Sequence, residues 1–331
     1  MLITLVLGAP LRGQTSEPAA ATAQEAHQAA LEELDRAEQI DESELTPAIL
    51  TEVNRRLVVL QGVEPNHPRL PYLFGRLFAL GGRRGDAIEQ LRRFVDTREG
   101  RNEWEAHRRL GDLFVEEFPR LAQGSYERAA ELKSHEPMVL VGLSTCAYKV
   151  GRLDEAVRLA KEAADADGRK NVRVVAHLAR MFVAKQQWVD AQRAATQALE
   201  LAEADAKARP GVRGPLRLLD LQYQLVIDLL QARIGERVAT ADDFLQLAAL
   251  IRKRSELAGR INLHEALKVL EAGLKATAPN TPPSLLLEYA VALAEVGRTE
   301  EAIEAFEKLL AAEPANPVAT QWLEKLRSAN P

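Results

Sequence analysis

Residues 283–317 read PSLLLEYAVALAEVGRTEEAIEAFEKLLAAEPANP, and they limit the possible folds of this chain more than any other stretch. Leu286, Tyr289, Ala290 and Leu293 recur at offsets of three and four, which places them on one face of a helix. Gly297 is suited to end that helix, because glycine enters the left-handed region without a Cβ penalty. Thr299 is the expected N-cap of a second helix, with Glu300 and Glu301 near its positive end. Ala302, Ile303, Phe306, Leu309 and Leu310 form the second stripe, and Pro314 closes it. So short a link forces the two helices antiparallel, with Ala290 and Ala302 allowing the backbones to approach.

The same plan recurs upstream. Residues 69–102 carry Phe74, Gly75, Phe78, Gly82, Ala87, Leu91 and Phe94 at matching positions, with Asp86 and Glu89 as an expected capping box. Residues 103–136 follow with Leu110, Gly111, Phe114, Tyr126 and Ala129, and a longer turn near Phe118-Pro119. In 137–170 the sequence GRLDEA parallels GRTEEA of the opening stretch, and 171–205 carry Leu178, Ala179, Phe182, Ala191, Ala195 and Ala198. Small residues at the eighth and twentieth positions, an aromatic at the twenty-fourth and proline at the thirty-second resemble the tetratricopeptide repeat, a helix–turn–helix unit of about 34 residues. Ala290, Ala302, Phe306 and Pro314 hold those positions in 283–317. The resemblance spans 64–205 and 241–328. It implies an all-α, right-handed α-solenoid of antiparallel helix pairs, with an irregular helical insertion near 206–240 and a C-terminal capping helix.

The expected organisation is a signal or disordered segment at 1–22, a helical cap at 23–63, repeats at 64–205, an irregular helical segment at 206–260, and a degenerate repeat, a clear repeat and a capping helix at 261–331. Residues 23–44 are strongly acidic, and Thr46-Pro47 opens the second cap helix. The break at 208–215 holds two prolines and two glycines. The helix after it is apolar around much of its circumference, which calls for burial on more than one side. Thr240 is the expected cap of the next helix, and Asn262 with Glu265 an expected capping box. The apolar start MLITLVLGAP is too short to span a bilayer. It points to a periplasmic or secreted protein, with a cytoplasmic N-terminus as the alternative.

Composition narrows function more by exclusion. Net charge is −5, against bulk nucleic-acid binding, and a lone Cys146 excludes an intrachain disulfide or a cysteine-built zinc site. His264-Glu265 fails as a zinc motif because position 268 is lysine. The six histidines are scattered along the sequence, and Gly81-Gly82-Arg83-Arg84-Gly85 lacks a phosphate-loop lysine. Arg84-Gly85-Asp86 spells an adhesion tripeptide, but its aspartate reads better as a helix cap. Cys146 reads as a buried small side chain. No metal, cofactor or catalytic set is expected.

What remains is the groove that the resemblance implies, lined by the first helix of each repeat. Its positions fall on Arg69, Tyr72 and Arg76, on Arg108 and Asp112, on Thr145, Tyr148 and Lys149, and on Arg173 and Arg180. Arginine and tyrosine dominate binding hot spots, and residues 69–109 hold ten arginines against six acids. The family's carboxylate clamp would need asparagines that Tyr72, Arg108 and Val141 replace. The expectation is a non-enzymatic scaffold for a protein or extended peptide, acidic segments included, in that groove. Two alternatives stay open: an accessory subunit of an enzyme complex acting through the apolar helix at 214–234, and an enzyme whose helical active site lies near 206–240.

Overall fold

The computed structural model describes residues 23–39, 47–259 and 263–329. The export segment and linker expected at 1–22, the Thr46 cap and the Asn262–Glu265 capping box lie, in whole or part, outside them. Among the described residues there are sixteen α-helices and no strand. They group into two compact units, Met1–Ala106 and His107–Pro331.

The first unit contains α1 (Ala23–Gln39), α2 (Pro47–Val63), α3 (Leu70–Leu80) and α4 (Arg84–Val95), then a 3₁₀ turn at Gly100–Asn102. α1 packs on α2, α3 on α4, and both cap helices touch α3. Its core holds Leu34, Leu57, Leu60, Leu73, Leu91 and Phe94. Gly75 brings α3 against α4: a Cβ there would stand 2.7 Å from the Leu91 side chain.

The second unit begins within α5 (Trp104–Phe114) and continues with α6 (Pro119–Leu132), α7 (Pro137–Lys149), α8 (Leu153–Ala166), α9 (Val172–Ala184) and α10 (Trp188–Ala208). Then come α11 (Arg213–Gly235), α12 (Ala241–Leu257), α13 (Leu263–Thr277), α14 (Pro283–Glu295), α15 (Thr299–Ala312) and α16 (Pro317–Ala329). From α6 onward each helix packs chiefly on its sequence neighbours, as in a solenoid built from successive hairpins. Prolines start α6, α7, α14 and α16, where the missing N–H would have no intrahelical partner. Pro215 likewise stands in the first turn of α11. The glycine- and proline-rich stretch therefore narrows to a short link, and α10 and α11 pack along each other. α11 also meets α9 and α12, and Tyr223, Val226, Leu229 and Leu230 are buried among them. Among its described residues only Leu221 is an exposed large apolar side chain, so α11 offers no contiguous patch for an accessory-subunit role.

One turn recurs. Gly297 has φ +81°, its N–H donates to Ala294 O, and the Arg298 N–H donates to Leu293 O. The same two bonds form around Gly82, Gly151 and Gln186. The residue after the left-handed one becomes the N-cap of the next helix, so Arg298, not Thr299, caps α15. Arg83 caps α4 in the same way, and no Asp86–Glu89 box forms. In both cases, and at Arg152, the cap arginine donates to the acid three residues on: Asp86 at 2.7 Å, Glu155 at 2.7 Å and Glu301 at 2.5 Å. Asp86 is thus a half-exposed ion-pair partner. Arg298 also reaches Glu271 on α13, and Arg152 reaches Gln123 on α6, so each clasp ties a hairpin to the one before it.

Gln186 takes this turn at φ +57°, which an L side chain resists. Gln186→Gly is expected to stabilise the fold by about 0.5–1 kcal/mol, the left-handed strain less the entropy that glycine adds to the unfolded chain. Urea melts of the two proteins check this, and an equal or lower midpoint for the glycine variant would refute it.

Candidate partner-binding site

The groove residues expected from sequence fall into separate environments. Arg69, Tyr72 and Arg76 belong to the first unit, and their face is covered. The Arg76 side chain is only 4% exposed and donates Nη2 to Asp35 of α1 at 2.6 Å. Tyr72 is buried with its ring 5.1 Å from that of Phe94, and the guanidinium carbons of Arg69 and Arg76 stand 5.8 and 5.7 Å from its centroid. Arg69 is ion-paired with Glu99 at 2.6 Å and Glu103 at 2.5 Å. An open basic groove at 69–76 was the expectation; the acidic cap helix occupies that place instead. Much of the positive excess in 69–109 is neutralised locally, with Arg83 on Asp86, Arg93 on Glu89 and Arg108 on Asp112.

In the second unit, Arg108 and Asp112 pair one turn apart at 2.5 Å. Asp112 also accepts the Tyr126 hydroxyl at 2.8 Å. Burial, then the Asp112 charge, pushes the Tyr126 phenol far above its ordinary range, so it stays a donor. This pair orients a buried ring and is not a free ligand contact. Thr145 donates its hydroxyl to Val141 O at 2.8 Å, and Lys149 reaches Glu116 at 2.8 Å. Tyr148 is 44% exposed. Arg173 and Arg180 are exposed, and neither makes an ion pair among the described residues. Because α7 touches α9, Tyr148, Arg173 and Arg180 lie on adjacent helices. Of the ten expected residues, these three remain available.

Two constellations escaped the sequence reading. His27 and His67, forty positions apart, bring their rings to 4.6 Å. His177 on α9 lies 2.8 Å by Nε2 from Ser144 Oγ on α7, and Ser144 donates 2.7 Å to Ala156 O on α8. With the serine proton so committed, Nε2 must carry the hydrogen and donate, which fixes the tautomer of a neutral imidazole. Ser144 is fully buried, so the trio is a polar lock between three helices with no access for a substrate. Its members are 12 and 33 residues apart, beyond any local spacing rule. Cys146 beside it is buried too, and burial raises its thiol to about 11.

Burial, then the charge of Arg180, lowers the His177 pKa to about 4. The folded state therefore binds this proton more weakly than the unfolded chain does. Stability from this group is complete above the unfolded value of 6.5 and is lost as pH falls from there towards 4. The expected loss is on the order of 3 kcal/mol. Denaturant midpoints at pH 7 and pH 4 should differ less in His177→Gln than in the parent; an identical pH dependence would overturn the assignment.

A cleft of about 820 Å³ opens between α11, α12 and α13, lined in part by Asp220, Gln224, Ile251, Arg254, Ser255 and Glu265. It lies where the enzyme alternative called for a pocket. Arg254 spans it, donating Nε to Asp220 at 2.7 Å and Nη1 to Gln224. The Asp220 hydrogen bond holds the guanidinium pKa above its usual value, and Ser255 gives its hydroxyl to Ile251 O at 2.7 Å. A fixed ion pair and a hydroxyl bound to backbone provide recognition groups in this cleft.

One hairpin matches a known family model. Residues 283–326, the α14–α15 hairpin and most of α16, match the tetratricopeptide repeat family model. That hairpin is similar to a tetratricopeptide repeat. No curated protein matches it. Among solved structures, MamA from Desulfovibrio magneticus RS-1, residues 41 to the end, is 20% identical over 56% of this chain and 97% of its own, with a TM-score of 0.43. The C-terminal part of a TPR repeat-containing protein from Cytophaga hutchinsonii is 13% identical over 89% of this chain and 98% of its own, with a TM-score of 0.44. YrrB, described as a TPR protein with an unusual peptide-binding site, is 18% identical over 71% of this chain and 98% of its own, with a TM-score of 0.33. At these values the likenesses carry no argument about what this repeat protein binds. Among the described residues no helix is long and apolar enough to cross a membrane.

Proposed function

We propose that this repeat protein is a non-enzymatic scaffold that holds an acidic, extended segment of a partner protein against the face shared by α7 and α9. The observation that supports this reading most is the pair Arg173 and Arg180: exposed and without an ion pair, in a chain where other groove arginines are spent on neighbouring acids. Their guanidinium groups can take carboxylates in bidentate fashion, and the exposed Tyr148 ring supplies a surface for the segment's apolar atoms. An extended backbone suits such a face because each hairpin presents its first helix in turn.

A fluorescently labelled peptide of alternating glutamate and alanine tests the proposal by anisotropy. Arg173→Glu with Arg180→Glu is expected to weaken binding at least about tenfold while circular dichroism stays unchanged, and added salt should weaken the parent complex. Equal affinity of parent and variant would remove the basis for this site.

A further inference from the structure

The face of α3 that holds Tyr72 and Arg76 is occupied by a segment of the same chain. α1 lays Ala26, Ala30, Leu34 and Ala37 inward at spacings of four, four and three. Asp35, next to the single large apolar residue of that stripe, puts its carboxylate on Arg76 at 2.6 Å. Arg76 in turn stands over the Tyr72 ring. An acidic amphipathic helix, packed chiefly on α2, therefore meets α3 through a carboxylate set on Arg76, in the helix-in-groove manner of many peptide complexes.

Three features make its grip light. Its buried stripe is three alanines and one leucine, a small apolar area beside the Val53, Leu57 and Leu60 that α2 buries. The ion pair costs little to open: the Asp35 side chain is already 55% exposed, and departure of α1 would return Arg76 to water. His27 on α1 has its Nε2 buried with no hydrogen-bond partner, which opposes docking. The His27 ring faces His67, from the link between α2 and α3, and is within the field of Arg69 at the start of α3 and Glu99 after α4. Burial, His67 and Arg69 all lower its pKa, and Glu99 opposes them, so protonation favours a released α1.

We propose that α1 is a displaceable occupant of the α3 face, and that the partner this face takes is an acidic amphipathic helix bearing the same pattern: small residues on one stripe and a carboxylate set for Arg76. α1 closes the face in cis until such a helix replaces it. This surface is distinct from the one formed by α7 and α9, and the two proposals stand or fall separately.

Hydrogen exchange read by mass spectrometry on the full chain tests the idea, with a synthetic peptide of residues 23–39 as the probe. At pH 7 the amides of α1 are expected to exchange at least about tenfold faster than those of α3 and α4, by local opening. Asp35→Lys should speed α1 exchange by about a further tenfold and leave α4 unchanged. The peptide added to that variant should restore protection of α3, and a peptide carrying the same Asp35→Lys change should not. Exchange of α1 in step with α2, α3 and α4, or no protection by the unaltered peptide, would overturn the proposal. Should Asp35→Lys fail to fold, the parent chain decides at pH 5 against pH 7.5. After correction for intrinsic rates, α1 exchange must rise relative to α4; an unchanged ratio counts against displacement.

Discussion

Asp243→Ala is expected to cost about 3–5 kcal/mol, because it leaves a charge stranded between helices. Asp243 is 2% exposed. One of its oxygens accepts the Thr240 N–H at 2.6 Å, completing the capping box that starts α12. That same oxygen is 2.9 Å from Nη2 of Arg233 on α11, whose side chain is 12% exposed. Arg233 also donates to Gln192 on α10, and Gln192 to Gln246 on α12. The substitution removes the cap, worth about 1 kcal/mol, and the carboxylate paired with the nearly buried guanidinium of Arg233. Asp243→Asn keeps the acceptor for Thr240 and removes only the charge, so it should fall between the two. Guanidinium chloride unfolding at neutral pH measures both. A loss below about 1 kcal/mol for the alanine variant would mean that Arg233 is readily rehydrated and that the network is not a structural centre.

The second large effect centres on Tyr126. Its ring is wedged between two glycines: a Cβ at Gly111 would stand 2.6 Å from the ring, and one at Gly142 2.3 Å. Tyr126→Ala empties that wedge and should cost about 3–5 kcal/mol. Gly142→Ala alone should cost about 1–3 kcal/mol by overpacking, against the ordinary rule that alanine favours a helix. Combined with Tyr126→Ala, the same Gly142→Ala change should become neutral or stabilising, since the clash is gone and the helix preference of about 1 kcal/mol remains. That reversal of sign in a double-mutant cycle is the diagnostic result. An equal penalty in both backgrounds would show that the glycine serves the α7 backbone and not the ring.

The hairpins could be read from the sequence because the signals that specify them are local. Gly297 ends α14 as its position required, and the stripes of 283–317 face inward, with Leu293, Phe306 and Leu309 fully buried. Caps were less legible. Asp86 and Thr299 have the chemistry of N-caps, but the left-handed residue sets the phase of the turn and hands the cap to Arg83 and Arg298. The groove was least legible. Arg76 sits at the position the repeat pattern marks for ligands, yet its partner is Asp35, 41 residues away on a helix outside the repeat pattern. Arg108 and Asp112, by contrast, are a pair that i,i+4 spacing alone announces. The Ser144–His177 lock and the Tyr126 wedge depend on which helices come to lie side by side, and no spacing within one helix records that.

The placement of the indoles makes this protein a convenient optical object. Trp104 belongs to the first unit, Trp188 begins α10, and Trp322 on α16 stacks on Phe306 at 6.2 Å with Lys325 Nζ 4.7 Å from its ring. Each chromophore thus reports a different part of the array. With two of the three replaced by phenylalanine, the emission of the third would follow the melting of its own neighbourhood. Three such proteins would show whether the array comes apart all at once or from its ends inward.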